Sequence, residues 1–525
     1  MPPIRPGTSK PRSTKTIPAT KPARPYSSTP LFLEPNMTIH PTDRHTPQGP
    51  TSIDLSADEL LLLPEYLLLA DGPVREHGAV IASGKFADVD RAEALIERHP
   101  HLTPVRLPGK LIMPGFIDAH HHLTQSFGKA LAFGEPSEIY RRIWVPLENC
   151  LDENLLYLST KLAALEALRG GFTTVCDAGT RASGDATTIA EATQEVGIRC
   201  VLGLICNDLA DDIDARERAA IVERARAHLA RWAGHPLVHP SLAVSVPEAG
   251  SDGMLQTAAA LCADAGAIFQ THANEHLAAV ERSIVRRKMR PIEHLHYAGA
   301  LGPQTLIAHA TLVTPTELNL LRDTGTAVSY NPVASSWKGN AVAPAMQMAA
   351  LGIRFGLGTD GTRSDAFRML DAAETAQRLA FGLTTGDSSC GAGELWLDHA
   401  LRGGADALHL SALTGEIARG KAADFLLIDI DVPEMRPSWN LQWELVRLAN
   451  RSQIDAVFVA GRLRLWQGWP VDWDARALLR EVDEAAAAVV ARAPIQRVHS
   501  AAQFVAGTPR VGLAAPQSAN LAVDR

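Results

Sequence analysis

The sequence lacks the pairings of a disulfide scaffold. Its six cysteines, Cys150, Cys176, Cys200, Cys206, Cys262 and Cys390, form no C-x-x-C pair, and several lie in apolar runs. Buried free thiols of that kind fit a reducing cytoplasm. A basic excess is also missing. The net charge is −8 and the pI about 6.2, which argues against nucleic acid as the main partner. No uninterrupted apolar run is long enough to span a bilayer, so no membrane helix is expected. No short repeat of fixed period is present, which excludes a solenoid. The remainder, 46% hydrophobic and 21% charged over 525 residues, is ordinary for a globular chain of one large domain with additions, or two to three ordinary ones.

Acids are nearly absent from residues 1–50, which hold Glu34 and Asp43 alone but 12 of the 34 prolines. Such a segment cannot bury a core and reads as a disordered, dispensable tail. It is basic and Ser/Thr-rich, as targeting peptides are, yet it has no apolar signal core. Met37 is an alternative start, which would leave residues 1–36 outside the mature protein. Short β-like runs follow over 51–110, such as Ala79-Val80-Ile81 ahead of Ser83-Gly84-Lys85. A second group occupies 419–470, with runs at 423–428 and 456–459. Strands from both ends of a chain can pair, so the two groups predict one small split β-domain, a β-sandwich. In the C-terminal stretch 471–525, Asp474 caps an alanine-rich helix to about Arg492, and the last 30 residues read as loosely ordered.

The middle, 111–418, alternates. Apolar runs of strand length recur at 115–122, 172–177, 200–206, 242–246, 268–272, 306–309, 327–330 and 355–359. Helix-length stretches such as 154–169 and 253–265 separate most of them. This pattern predicts a (β/α)8 TIM barrel, whose active site lies at the C-terminal ends of its strands.

Polar residues gather at those ends. The first run closes on His120-His121-His122. Side chains alternate along a strand, so His120 and His122 share a face and His121 turns away. Two neutral imidazoles on one face suit a metal such as zinc. Run five ends in Thr271-His272-Ala273-Asn274-Glu275, run six in Ala308-His309-Ala310, and run eight in Gly358-Thr359-Asp360-Gly361. One buried histidine at a strand end is commonly structural. Four strand ends carrying metal-ligating or acid–base residues point to a centre of chemistry.

The motifs carry a resemblance. They are PGFIDAHHH (114–122), IWVPLE (143–148), ALEALRGGFTTVCD (164–177), THANE (271–275), RPIEHL (290–295), AHATL (308–312), SYNP (329–332), LGTDG (357–361) and GEIARGKAADFLLID (415–429). In this order the chain resembles the amidohydrolase superfamily in its aminohydrolase branch, with S-adenosylhomocysteine, guanine and cytosine deaminases and triazine hydrolases. The likeness spans about 52–468 and implies the same barrel with its split β-domain. It implies one divalent metal, zinc or alternatively iron, held by His120, His122, His272 and Asp360. No lysine stands at the fourth run, so a single metal is expected, although Glu248 could bridge two. By the same resemblance Asp360 takes a proton from the attacking water, Glu275 moves one to a ring nitrogen, and His309 hydrogen-bonds the incoming oxygen. His121 is expected not to be a ligand.

Gln125, in H-x-H-x-x-Q, offers the donor and acceptors that suit a heterocycle edge, and Trp144 is a candidate for the pocket wall. Departures from the family lie in the Trp337-Lys338 loop, in Arg363-Ser364-Asp365 after Asp360, in His309-Ala310-Thr311-Leu312, and in the absence of P-R-F at the fourth run. The reading is a cytoplasmic metal-dependent hydrolase that removes the exocyclic amino group of a small heterocycle, whether purine, pyrimidine, pterin or triazine. Its partners are that substrate and water, and the family implies a homo-oligomer. The first alternative releases chloride or an alkylamine, or opens a cyclic amide. The others are an esterase or amidase and a non-catalytic barrel that serves as an interaction module.

Overall fold

In a computed structural model the described residues are 55–498, apart from 136–138, 210–212, 362, 387–390 and 392. The expected tail at 1–50 with Met37, the end of the chain from 499, and Cys390 lie outside them. Eight parallel strands run in sequence order: β1 Phe116–His121, β2 Phe172–Asp177, β3 Arg199–Ile205, β4 Val238–Ala243, β5 Ile268–Ala273, β6 Thr305–His309, β7 Ala327–Tyr330 and β8 Phe355–Leu357. Every residue of β1, β2, β6 and β7 is buried, as both faces of a barrel strand must be. Ile117, Cys176, Val201, Ile268, Leu306 and Ala327 fill the barrel interior. At the top, the Asp360 N–H donates to the His120 carbonyl at 2.9 Å, which brings the end of β8 against β1.

The helices around the barrel begin where side chains satisfy their free N–H groups. Asp152 caps Glu153–Arg169, and Ser251 caps Asp252–Ala265, which ends on Gly266 in the left-handed region. Asp474 caps Ala475–Arg492 in the same way.

Strand β4 differs from the expected 242–246. It begins at Val238 and ends at Ala243. Beyond it a side chain takes over on the β3 side, where the Ser245 N–H donates to Asn207 Oδ1 at 2.9 Å, while the Val244 N–H still reaches the Gln270 carbonyl on the β5 side, and Pro247 then starts a short turn. Strand β8 stops at Leu357, before the expected 359. There the buried Asp118 carboxylate accepts the Thr359 N–H at 2.9 Å and its hydroxyl as well, and turns the chain.

The small sheet has nine strands drawn from both ends of the chain. Its seam is antiparallel pairing of Phe425–Asp429 with Pro104–Pro114, in the register Phe425 to Pro114 and Asp429 to Lys110. Leu62, Ile81, Phe86, Ile112, Phe425 and Phe458 form its core. An ion pair sealed from water ties it to the barrel: Arg199, at the start of β3, meets Asp424 at 3.0 Å, with both side chains at most 1% exposed. Asp424 also accepts the Ala460 N–H at 2.7 Å. Replacing one partner of such a pair leaves a buried charge unmatched. Arg199→Ala is therefore expected to destabilise the fold by about 3–5 kcal/mol, read from urea denaturation.

Candidate active site and metal centre

The strand ends converge on one cluster. One donor atom from each of His120, His272, His309 and Asp360 lies within 4.8 Å of all the others. His122 joins them, with Nε2 3.2 Å from His272 Nε2 and 3.3 Å from Asp360 Oδ1. His120 Nε2 lies 3.3 Å from the same carboxylate oxygen. The backbone takes positive φ at three of these strand ends, at Asn274 (55°), His309 (76°) and Asp360 (60°). L-residues adopt that region at a cost; here it accompanies the turn of His309 and Asp360 into the site, while the Asn274 amide donates to the Leu312 carbonyl and Glu317 beside it.

His121 goes elsewhere. Strand β1 is irregular between Asp118 and His121, and His121 Nε2 lies 3.0 Å from Ser364 Oγ, behind the strand. Burial, followed by its two histidine neighbours, pushes its pKa down to about 3.

Hydrogen bonds fix how two of the rings face the site. His272 Nδ1 lies 2.7 Å from the Ser245 carbonyl and must donate to it, so Nε2 offers a lone pair inward. His309 is arranged oppositely. The Ser329 hydroxyl donates to Asn331 Oδ1 at 2.7 Å, so the Asn331 amide N–H faces His309 Nδ1 at 3.2 Å. Nδ1 then accepts, and Nε2–H of His309 points into the site as a donor. His120 Nε2 and His309 Nε2 are buried without a hydrogen-bond partner among the described residues. Burial lowers the pKa of His122, His272 and His309, the last to about 3, so these rings are neutral. Burial opposes the ionisation of Asp360, but Lys338 and the histidines outweigh it and hold the carboxyl well below its usual range. Neutral imidazoles around one ionised carboxylate form a donor set that fits a divalent cation.

Glu275 sits beside this set. Its Oε1 lies 3.6 Å from His309 Nε2 and accepts from Lys338 Nζ at 2.8 Å. Burial would raise its pKa, but His309 and Lys338 bring it well below the usual value. Lys338 also bonds Asp360, and burial is outweighed by the two carboxylates that hold it charged. The sequence marked Lys338 only as part of an unusual loop. Its motif could not show that a seven-residue helix, Pro332–Lys338, delivers the ammonium to both acids.

The cluster opens into a cleft. Gln125 and Trp144 both line it, with Tyr140, Arg181, Glu248 and Lys338. Gln125 Nε2 lies 3.5 Å from Glu148 Oε1, and Glu148, fully buried, pairs with Arg181 at 3.0 Å. Glu248 lies 3.2 Å from Arg282 and 3.8 Å from Arg141, so its carboxylate is matched by cations and faces the cleft wall. The sequence reading gave Glu148 no role, although it closes the IWVPLE motif.

A model described as the amidohydrolase family matches residues 111–464. The chain is 29% identical over 443 residues to a 5-methylthioadenosine/S-adenosylhomocysteine deaminase of Syntrophobacter fumaroxidans, covering 82% of this chain and 96% of the relative. It is 30% identical over 432 residues to a 5'-deoxyadenosine deaminase of Methanopyrus kandleri, covering 81% and 98%. Among solved structures, an adenosine deaminase from Xanthomonas campestris with bound zinc superposes with a TM-score of 0.75 at 22% identity, covering 82% of this chain and 98% of that one. A zinc complex of atrazine chlorohydrolase from Arthrobacter aurescens gives 0.71 at 19% identity, covering 81% and 100%. At these identities the two structures establish the shared barrel fold.

The depressed pKa of His121 has a measurable consequence. An unfolded chain protonates this residue near pH 6.5, whereas the folded chain keeps it neutral to about pH 3. Its contribution to stability is complete above pH 6.5 and is lost as the pH falls below that value. Between pH 6 and 4, His121→Gln should flatten the pH dependence of unfolding free energy by up to about 1.4 kcal/mol per pH unit relative to the parent chain. Denaturation of both proteins across that range reads the difference.

Proposed function

The chain belongs to the amidohydrolase family, a hydrolase acting on carbon–nitrogen bonds outside peptides, and we propose that it deaminates a 6-aminopurine, with adenosine-type nucleosides first. The observation that carries this reading is the meeting of four histidines, Asp360 and Glu275 in one cluster, of which His122, His272, Asp360 and Glu275 line the cleft. The names of the relatives that cover four-fifths of the chain support the choice of adenosine derivatives.

In this reading His120, His122, His272 and Asp360 hold one divalent metal, zinc in preference to iron. When bound, the metal supplies Lewis acidity that brings the pKa of a water molecule toward neutrality. Asp360, ionised, accepts the proton that this water loses. Glu275, itself ionised, receives that proton and moves it to the ring nitrogen next to the amino-bearing carbon, which draws electrons from that carbon as the oxygen adds. His309 donates its Nε2–H to the incoming oxygen, and Asn331 keeps it in that tautomer. The added hydroxyl then gives its remaining proton to Asp360, which passes it to the amino group; the carbon–nitrogen bond breaks and ammonia leaves. A carbonyl remains on the ring. Lys338 holds both acids in place throughout. Gln125 and Trp144 orient the heterocycle against the wall formed with Arg181 and Tyr140. The cytoplasm and a homo-oligomeric assembly complete the reading. Among the described residues no helix is long and apolar enough to cross a membrane.

Ammonia release from 5-methylthioadenosine, S-adenosylhomocysteine, 5'-deoxyadenosine, guanine, a pterin and an aminotriazine tests the reading. Turnover of an adenosine derivative is expected. Chloride or alkylamine release from a substituted triazine, with no ammonia from any purine, would overturn it. His120→Ala is expected to lose both metal and activity, and His121→Ala to retain both, as measured by elemental analysis and rate. Glu275→Gln should keep its metal and lose about 100-fold or more in kcat, the usual scale of general acid–base catalysis.

A further inference from the structure

The end of the described chain returns to the cleft wall. Residues 493–498 follow the helix Ala475–Arg492, whose last residue donates to the Cys150 carbonyl at 2.7 Å. Gln496 then pairs with Arg142 twice: its N–H donates to the Arg142 carbonyl at 3.0 Å, and Arg142 Nη1 donates to its carbonyl at 2.9 Å. Beneath them lies Glu135, whose side chain is fully buried. Its carboxylate accepts from Arg142 at 2.9 Å, from the Val498 N–H at 3.0 Å and from Arg497 at 3.4 Å. A buried carboxylate needs such partners, and two of the three come from the last segment.

Ile495 enters an apolar cluster with Ile139, Ile143, Trp144 and Trp337. Ile139 and Trp144 line the cleft, while Trp337 precedes Lys338, which bonds Glu275. One side chain from the end of the chain therefore backs two walls of the same cleft. The first of these walls is a π-helical turn, Tyr140–Trp144. A turn of that type is rarely stable by itself and depends on packing from outside.

We propose that Glu135 and residues 493–498 form a strap that positions the wall at 139–144, so that the C-terminal segment sets how tightly substrate is held without touching it. Glu135 is a positioning residue here, acting through Arg142 and the turn that follows. The proposal rests on the reading of this cleft as the substrate site.

The test uses the full-length, metal-loaded protein with Glu135→Gln and, separately, Ile495→Ala. The purine turned over fastest in the ammonia panel serves as the probe, and amide hydrogen exchange is followed in parallel. Both variants should raise KM about tenfold, the factor that goes with losing one buried charge-assisted hydrogen bond or a comparable apolar contact, with kcat within about twofold. Exchange at 139–148 should quicken while strands β1, β5 and β6 keep their protection and metal content stays constant. KM within about twofold of the parent in both variants, or a fall in kcat at fixed KM, would overturn the strap. If the parent releases no ammonia from any probe, the deaminase reading fails and exchange alone decides. Unchanged protection at 139–148 in both variants then sinks the proposal, and its selective loss supports it.

Discussion

The site depends on the seam where the last barrel strand meets the first. Asp118 is buried on β1 and accepts both the N–H and the hydroxyl of Thr359, while the Asp360 N–H reaches the His120 carbonyl. These bonds carry Asp360 from one end of the barrel sequence to the two histidines at the other. Without them the carboxylate would belong to a loop, and loops hold catalytic geometry less exactly than strand ends do. Burial raises the Asp118 pKa to about 7, so even this structural acid is held near the limit of what the interior tolerates. A carboxylate kept in such a place is there for what it accepts. Here it accepts the chain that bears Asp360.

A second constraint is charge. The cleft floor gathers neutral imidazoles and ionised acids, and each acid has a stated cation: Lys338 for Glu275 and Asp360, Arg181 for Glu148, Arg282 and Arg141 for Glu248. Asp360 alone belongs to both sets, since it stands in the donor cluster and is matched by Lys338. The histidines also differ among themselves. His272 is fixed as a lone-pair donor by a backbone carbonyl, and His309, one step further along the neighbouring strand, as a proton donor by Asn331.

Much of this could be read from the letters, for physical reasons. Apolar runs of strand length separated by helix-length stretches mark a parallel barrel because its strands are buried on both faces. The alternation of side chains predicted that His121 would part from its neighbours, and it does, although β1 is irregular between Asp118 and His121 and ends before His122. Boundaries were harder. The fourth strand begins earlier than its apolar run suggests, because Val238–Ala243 pairs through backbone groups that Pro240 and Ser241 do not advertise. Long-range partners were hardest. Nothing local in IWVPLE says that Glu148 will meet Arg181, and nothing in the loop after β7 says that Lys338 will span two acids, because each contact is created by the closure of the barrel.

The split sheet bears on how the chain folds during synthesis. Glu59–Leu69 and Pro104–Pro114 leave the ribosome early, as a parallel pair whose free edge is apolar and unmatched. Their partner, Phe425–Asp429, appears only after all eight barrel strands have been made. Until then the nascent chain presents an open strand edge, the feature that invites pairing with other chains. The Arg199–Asp424 bond is delayed in the same way, since its acid is translated just before that strand. All eight barrel strands are therefore synthesised before Arg199 can meet its partner. Docking of Phe425–Asp429 matches that buried charge and covers that edge at once, and Ile454–Val459 then covers the edge it brings with it.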